Sequence, residues 1–292
     1  MFFPFPRSGF LHCRGRDLAY GHRTLVMGII NVTPDSFSGD GIGGSVDLAV
    51  ERALNMVAEG ADLIDVGGES TRPQAQPVSD VEERARVVPV VQAIARAVSV
   101  PISVDTRKPA VAEAALEAGA HLINDVAGLQ RDPEMASVVA AFGAAVVVMH
   151  SPGEPWDVPW PARYADVVDD VRAYLDRSIQ IALRAGVPFE QIIVDPGFGF
   201  GKSVDDNLTI LRRLGELRSL GAPVLIGTSR KSTIGKILDA PVDERLEGSL
   251  ATLPLAIAQG VDIVRVHDVR ASARVVRVAD AVVRGFVAKD SR

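Results

Sequence analysis

Short aliphatic runs alternate with longer amphipathic segments from residue 25 to residue 287. The runs are residues 25–30, 62–66, 102–104, 121–123, 144–149, 191–194, 224–226 and 262–266, each about one buried strand long. Segments with apolar residues at helical spacing lie between them: 46–59, 81–98, 109–118, 133–142, 164–185, 205–214 and 245–259, with 271–287 last. Helix starts are marked by Ser79-x-x-Glu82, which reads as a capping box, and by Asp132-Pro133, an N-cap before a first-turn proline. Helix ends are marked by Gly60, Gly119, Gly143, Gly186 and Gly260, where a left-handed cap fits. Eight strand–helix alternations in this length predict an α/β fold, a single-domain (β/α)₈ TIM barrel over 24–290. Residues 1–23 are expected to cover the barrel's bottom. An open, doubly wound sheet is the main alternative.

Composition narrows the picture. Apolar residues make up 47% of the 292, and aromatics only 5%. The core is therefore aliphatic, which suits parallel strands buried on both faces. A formal net charge of -6 argues against non-specific nucleic-acid binding, which needs a basic surplus. An anionic substrate then needs a local cluster of Arg and Lys. The single cysteine, Cys13, excludes an intrachain disulfide and a Cys-rich metal site. The apolar start is broken by Pro4 and Pro6 and does not read as a signal peptide. No apolar stretch reaches membrane-spanning length, so no membrane partner and a cytoplasmic location are expected.

Polar residues stand just beyond the aliphatic runs: Asn31, Glu69, Asp105, Asn124-Asp125, His150, Asp195, Ser229, and Arg265 with His267. Barrel enzymes carry their chemistry at the C-terminal ends of the strands. One such residue means little, but a nearly complete ring is hard to attribute to packing. Two glycine motifs mislead. Gly39-x-Gly41-x-x-Gly44 does not follow its strand directly, and Pro196 stands where a phosphate-binding P-loop needs glycine. No H-E-x-x-H zinc motif occurs.

At these strand ends the chain resembles the dihydropteroate synthase family. The first signature is Asn31-Val32-Thr33-Pro34-Asp35-Ser36-Phe37-Ser38, and the second Asp65-Val66-Gly67-Gly68-Glu69-Ser70-Thr71-Arg72-Pro73. Ser103-Val104-Asp105-Thr106, Ile123-Asn124-Asp125-Val126, Asp195-Pro196-Gly197-Phe198-Gly199-Phe200-Gly201-Lys202, Gly227-Thr228-Ser229-Arg230-Lys231-Ser232 and Arg265-Val266-His267-Asp268 follow in the family's order. The resemblance covers residues 11–290 and is specific because seven motifs fall in order, one per strand end.

The resemblance implies a folate-pathway transferase and sulfonamide target. It joins 6-hydroxymethyl-7,8-dihydropterin pyrophosphate to p-aminobenzoate, giving 7,8-dihydropteroate and pyrophosphate. It also implies site residues. The pterin is held by Asp105, Asn124, Met149, Asp195, Phe200, Gly227 and Lys231. The pyrophosphate is held by Asn31, Thr71, Arg265 and His267, and Asn31 also touches Mg²⁺ when that ion is bound. Thr33, Pro34, Phe37, Arg72, Pro73 and Ser232 take the p-aminobenzoate. Asn31, Asp40, Arg72, Lys231, Arg265 and His267 are the implied catalytic set, and a homodimer through outer-wall helices is implied.

The residue types suit that chemistry. A pterin edge presents N–H, amine and carbonyl groups, which carboxylates, an amide and an ammonium can match. A departing pyrophosphate needs positive charge, and Arg265 and His267 alternate around Val266 so that both face one side. No nucleophile–base pair is evident, consistent with loss of pyrophosphate before the amine attacks.

The chain departs from the family in two places. The first loop carries its acid at Asp40, one position late, and the segment after His150 reads Ser151-Pro152-Gly153. His150 is open to two readings, a site-lining residue or a packed loop histidine. Two alternatives stand beside the synthase: a corrinoid methyltransferase with a similar pterin pocket, and a non-enzymatic paralogue. Turnover without corrinoid, and pyrophosphate release with p-aminobenzoate, discriminate them.

Overall fold

The structure, a computed structural model, describes residues 8–33, 45–69, 77–153 and 162–286. A hairpin comes first, β1 (Gly9–Leu11) antiparallel to β2 (Leu18–Tyr20). The strand–helix units follow: β3 (Leu25–Asn31) and α1 (Val46–Glu59), β4 (Leu63–Gly67) and α2 (Asp80–Ala97), β5 (Ile102–Asp105) and α3 (Pro109–Glu117), β6 (Leu122–Asp125) and α4 (Pro133–Ala141). Next are β7 (Ala145–Met149) and α5 (Val167–Arg184), and β8 (Ile192–Asp195) and α6 (Val204–Arg213). β9 (Leu225–Ile226) leads into α7 (Ser232–Leu238) and α8 (Leu246–Ala258), and β10 (Ile263–Val266) into α9 (Val269–Arg284).

Strands β3–β10 are parallel, in the order β8-β7-β6-β5-β4-β3-β10-β9. The two ends meet through a parallel bridge between Val194 and Val224, and the Val194 amide donates to the Pro223 carbonyl at 3.0 Å. The expected barrel is thus the fold, and the open sheet is excluded because its outer strands join.

Strand side chains alternate between two environments, as the period of two requires. One set, including Val26, Ile64, Val66, Ile102, Val104, Val146, Val148 and Val264, packs with helix residues such as Val87, Val91, Ile94 and Leu175. The other set is Leu25, Met27, Leu63, Leu122, Ala145, Val147, Ile193, Leu225 and Ile263, which fill the barrel's interior. Leu11 and Cys13 from the N-terminal segment join that inner cluster. Arg14 and Arg16 fasten the segment by donating to the carbonyls of Leu116 and Ala120, and of Val98 and Val100.

Helix caps are as local chemistry dictates. Ser45, Ser79 and Asp132 accept from Leu48, Glu82 and Glu134 amides. The reciprocal half of the box expected at Ser79 is replaced, because Glu82 pairs with Arg86 one turn on. A reciprocal box is found instead at Ser203 and Asp206. The five marker glycines all adopt positive φ.

Candidate active site

The inner strand positions change character toward the C-terminal face. Following Leu63, Leu122, Ile193 and Ile263 by two residues along the same face gives Asp65, Asn124, Asp195 and Arg265. The register places Asp105 beside Asn124 and Gly67. The barrel is therefore aliphatic below and polar at its mouth by one uninterrupted alternation.

A small cavity opens there, lined by Asp105, Asn124, Val126, Met149, Asp195, Phe198, Phe200, Gly227, Lys231 and Arg265. All seven residues expected around the pterin lie on it. Arg265 organises one wall. Its Nε donates to Asp65 Oδ2 at 2.6 Å and its Nη2 to Asp105 Oδ2 at 2.7 Å. Asn124 Nδ2 donates to the same Asp65 oxygen at 3.2 Å. On the opposite wall Asp195 Oδ1 accepts from the Gly197 amide at 2.7 Å, and Lys231 Nζ stands 4.1 Å from the Phe200 ring centre.

Burial sets the charges at odds with their ordinary values. It pushes Asp105 up to about 7, against the pull of Arg265. It raises Asp195, opposed by the Gly197 amide and then Lys231. It lowers Lys231 to about 8, with Arg265 adding to the effect. Burial also works against the charge on Arg265, but Asp65 and Asp105 more than offset it and hold that guanidinium firmly cationic. Such opposed perturbations in one cleft mark a functional site.

The remaining expected residues lie around this mouth or outside the described segments. Asn31 ends β3 beside Gly67. His267 follows β10; its Nδ1 lies 3.0 Å from Ser229 Oγ, which also accepts the His267 amide. His267 borders a second cleft with Arg52, Arg230 and Asp268. Asp268 is the ion partner of Arg230, bonded at 2.6 and 3.1 Å. Thr33 is buried, and Ser232 is exposed at the start of α7. Pro34, Phe37, Asp40, Thr71, Arg72 and Pro73 lie outside the described residues.

Three members of the strand-end ring turn away from the cavity. Glu69 accepts from the Val78 amide and pairs with Arg107 and Lys108. Asp125 accepts from the Ala127 and Leu129 amides, stitching the loop after β6. His150 is a packed loop histidine: its ring sits 4.8 Å from Tyr174, edge-on, and its Nδ1 accepts from Lys202 Nζ at 2.9 Å. Burial and Lys202 drive its pKa down to about 2, so it is neutral.

Sequence reasoning passed over Asp65, the shared acceptor beneath the pocket. Its signal was present, since it lies two residues beyond Leu63 on the inward face. Lys202 was quoted within its motif without a role, and nothing local marks it as buried.

A closed (β/α)₈ barrel with acids and cations gathered at its C-terminal mouth is the plan of an enzyme that holds a small polar ligand there. The chain belongs to the pterin binding enzyme family, whose profile matches residues 27–267. The dihydropteroate synthase of Bacillus subtilis is 48% identical, over 93% of each chain. The crystal structure of dihydropteroate synthase from Clostridium difficile with pteroic acid is 47% identical, with a TM-score of 0.84 over 91% of this chain and 98% of that one. The Yersinia pestis dihydropteroate synthase in a sulfonamide drug complex is 42% identical, with a TM-score of 0.89 over 94% and 98%.

Proposed function

We propose that this protein is a dihydropteroate synthase. It condenses 6-hydroxymethyl-7,8-dihydropterin pyrophosphate with p-aminobenzoate, yielding 7,8-dihydropteroate and pyrophosphate in folate biosynthesis. The observation that carries the reading is the cavity at the barrel mouth, where Asp105, Asn124, Asp195 and Lys231 converge with Arg265.

A dry pocket rewards matched hydrogen bonds to a flat heterocycle. Asp195 and Asn124 take the amine and ring N–H groups, and Lys231 donates to the ring carbonyl or a ring nitrogen. Met149 and Phe200 supply apolar walls. Asp105, held by Arg265, accepts from the ring on the other side.

The C–O bond to pyrophosphate breaks with its electron pair leaving on oxygen. The pterin methylene is left cationic and delocalised into the ring. The arylamine nitrogen then forms the new C–N bond and loses a proton to solvent. Catalysis is positioning and electrostatics, with Arg265, His267, Asn31 and Thr71 answering the charge that develops on the leaving group. Thr33, Pro34, Phe37, Arg72, Pro73 and Ser232 seat the arylamine, and Asp40 takes the part of the family's loop acid. A sulfonamide competes by imitating that arylamine.

Magnesium would fit as an ion carried by the substrate. Among the described residues no three His, Cys, Asp or Glu side chains are grouped to hold a metal; Asn31 would offer an oxygen to an ion that arrives on the diphosphate. Bound there, Mg²⁺ would neutralise the leaving charge.

The partner is a second copy of the chain. Exposed Ile237, Leu238, Leu255, Val278 and Val282 on α7–α9 support a homodimer through the outer wall. No helix among the described residues is long and apolar enough to cross a membrane.

The test is pyrophosphate release with and without p-aminobenzoate, in the absence of corrinoid. Release that depends on the arylamine is expected. Pterin binding without release would leave a non-catalytic pterin-binding barrel.

A further inference from the structure

Between β8 and α6 the chain runs as Gly197-Phe198-Gly199-Phe200-Gly201-Lys202, with no regular secondary structure. Gly197, Gly199 and Gly201 have φ of 67°, 85° and 60°. This backbone turns the carbonyls of Gly197 and Phe200 toward one point, and Lys202 Nζ occupies it. The ammonium donates to Gly197 O, Phe200 O and His150 Nδ1, each at 2.9 Å, with His150 O at 3.4 Å. An ammonium has three protons, so its donors are fully used.

Such a residue is costly to bury. Lys202 is only 7% exposed. An ammonium withdrawn from water costs several kcal/mol unless its bonds are all replaced. Burial lowers it to about 7, while Asp195 favours its charged form. Packing alone would be served better by methionine.

What the lysine holds is a wall of the pterin cavity. Phe200 lines that cavity, and its ring meets Lys231 Nζ at 4.1 Å. Gly199 leaves room for the Lys231 stem, since a Cβ there would stand 3.1 Å from Lys231 Cδ. Other bonds fix the loop at different points. Gly199 N donates to Asn207 Oδ1, and Gly201 O accepts from Tyr164 Oη and the Ala162 amide. The Phe200 carbonyl is taken by Lys202.

We infer that Lys202, anchored by His150, is a positioning residue that sets Phe200 and Lys231 for the pterin ring. The inference rests on the synthase reading for its substrate, but not for its geometry.

Lys202→Met keeps the stem and removes the donors. The expected result is a KM for dihydropterin pyrophosphate raised at least about tenfold, with kcat and the KM for p-aminobenzoate within about threefold. His150→Asn retains an acceptor and should stay within threefold throughout. His150→Leu, which has none, should reproduce the Lys202→Met profile. Calorimetric affinity for dihydropterin pyrophosphate should weaken alike in Lys202→Met and His150→Leu. That measurement needs no turnover, so an inactive parent chain would overturn the synthase reading while leaving this one decidable. An unchanged pterin affinity in a folded Lys202→Met or His150→Leu variant overturns it. So does a uniform loss of kcat and both KM values that tracks the folded fraction.

Discussion

Arg265 is held by Asp65 beneath it and Asp105 beside it, both within 2.7 Å of its guanidinium. The cation is thereby aimed and kept charged before any substrate arrives. Asp65 is fully buried and does not line the cavity. It serves the site only through Arg265 and Asn124.

Replacing Arg265 with alanine should therefore do two separable things. Transition-state stabilisation should fall by about 2–4 kcal/mol, as when one preorganised donor is lost. Stability should fall by about 3–5 kcal/mol, because Asp65 is left buried without its cation. Adding Asp65→Asn should restore much of the stability and none of the activity. Denaturant unfolding beside kcat/KM checks this, and recovery of both together would contradict it.

Turnover should be bell-shaped in pH. Asp105 is shifted up to about 7, so its acceptor strength is lost as pH falls below that value. Lys231 is shifted down to about 8, so its donated charge is lost as pH rises above that value. The optimum should lie near neutrality, because Lys202, lowered to about 7, loses its third proton over the same range and joins Lys231 on the alkaline limb. Asp105→Asn should flatten the acid limb, and Lys231→Met the alkaline limb, each at reduced kcat/KM. A pH–rate profile with unchanged limbs in both variants would refute the assignment.

Gly197→Ala should be far more damaging than Gly143→Ala. Both positions have positive φ, 67° and 58°. A Cβ at 197 would sit 2.0 Å from the His150 carbonyl oxygen, while one at 143 meets nothing within 4 Å. The second change costs only backbone strain, about 1–2 kcal/mol. Gly197→Ala must also displace backbone, and pterin affinity should fall with stability. Thermal unfolding of the two variants, read against each other, decides it.

Glu83 is fully buried and bonded to Lys108 Nζ at 2.6 Å, and Lys108 also takes the Val78 carbonyl. Lys108→Met should cost about 3–5 kcal/mol by stranding the buried carboxylate. The loss should ease at acid pH. Burial holds the Glu83 pKa above its ordinary value, so a proton neutralises the stranded group as pH falls. A pH-independent destabilisation would count against this account.

Much of this was legible from the chain because the barrel repeats one local rule. Alternation and glycine stops placed all eight barrel strands and most helices. The hairpin at Gly9–Leu11 and Leu18–Tyr20 escaped because three-residue strands carry almost no period. Helix α7 escaped because Ser232–Leu238 is two turns long and follows a polar strand end. For the site, the residue types at strand ends marked Asp105, Asn124, Asp195 and Arg265, while Lys231 came only with the family motif. They did not say which polar ends turn inward. Glu69, Asp125 and His150 occupy equivalent places in the sequence, yet each is claimed by a neighbouring loop or helix. That choice depends on partners such as Val78, Leu129 and Lys202, which sequence spacing does not join to them.

The alternation that stacks Leu63 under Asp65 and Ile193 under Asp195 has a mechanical corollary. Slipping any strand by one residue would send its acid into the helix layer and an aliphatic into the mouth. Substrate recognition thus draws its tolerance from the hydrophobic register below, and drift toward a looser barrel interior would be read first as lost specificity, before any loss of fold.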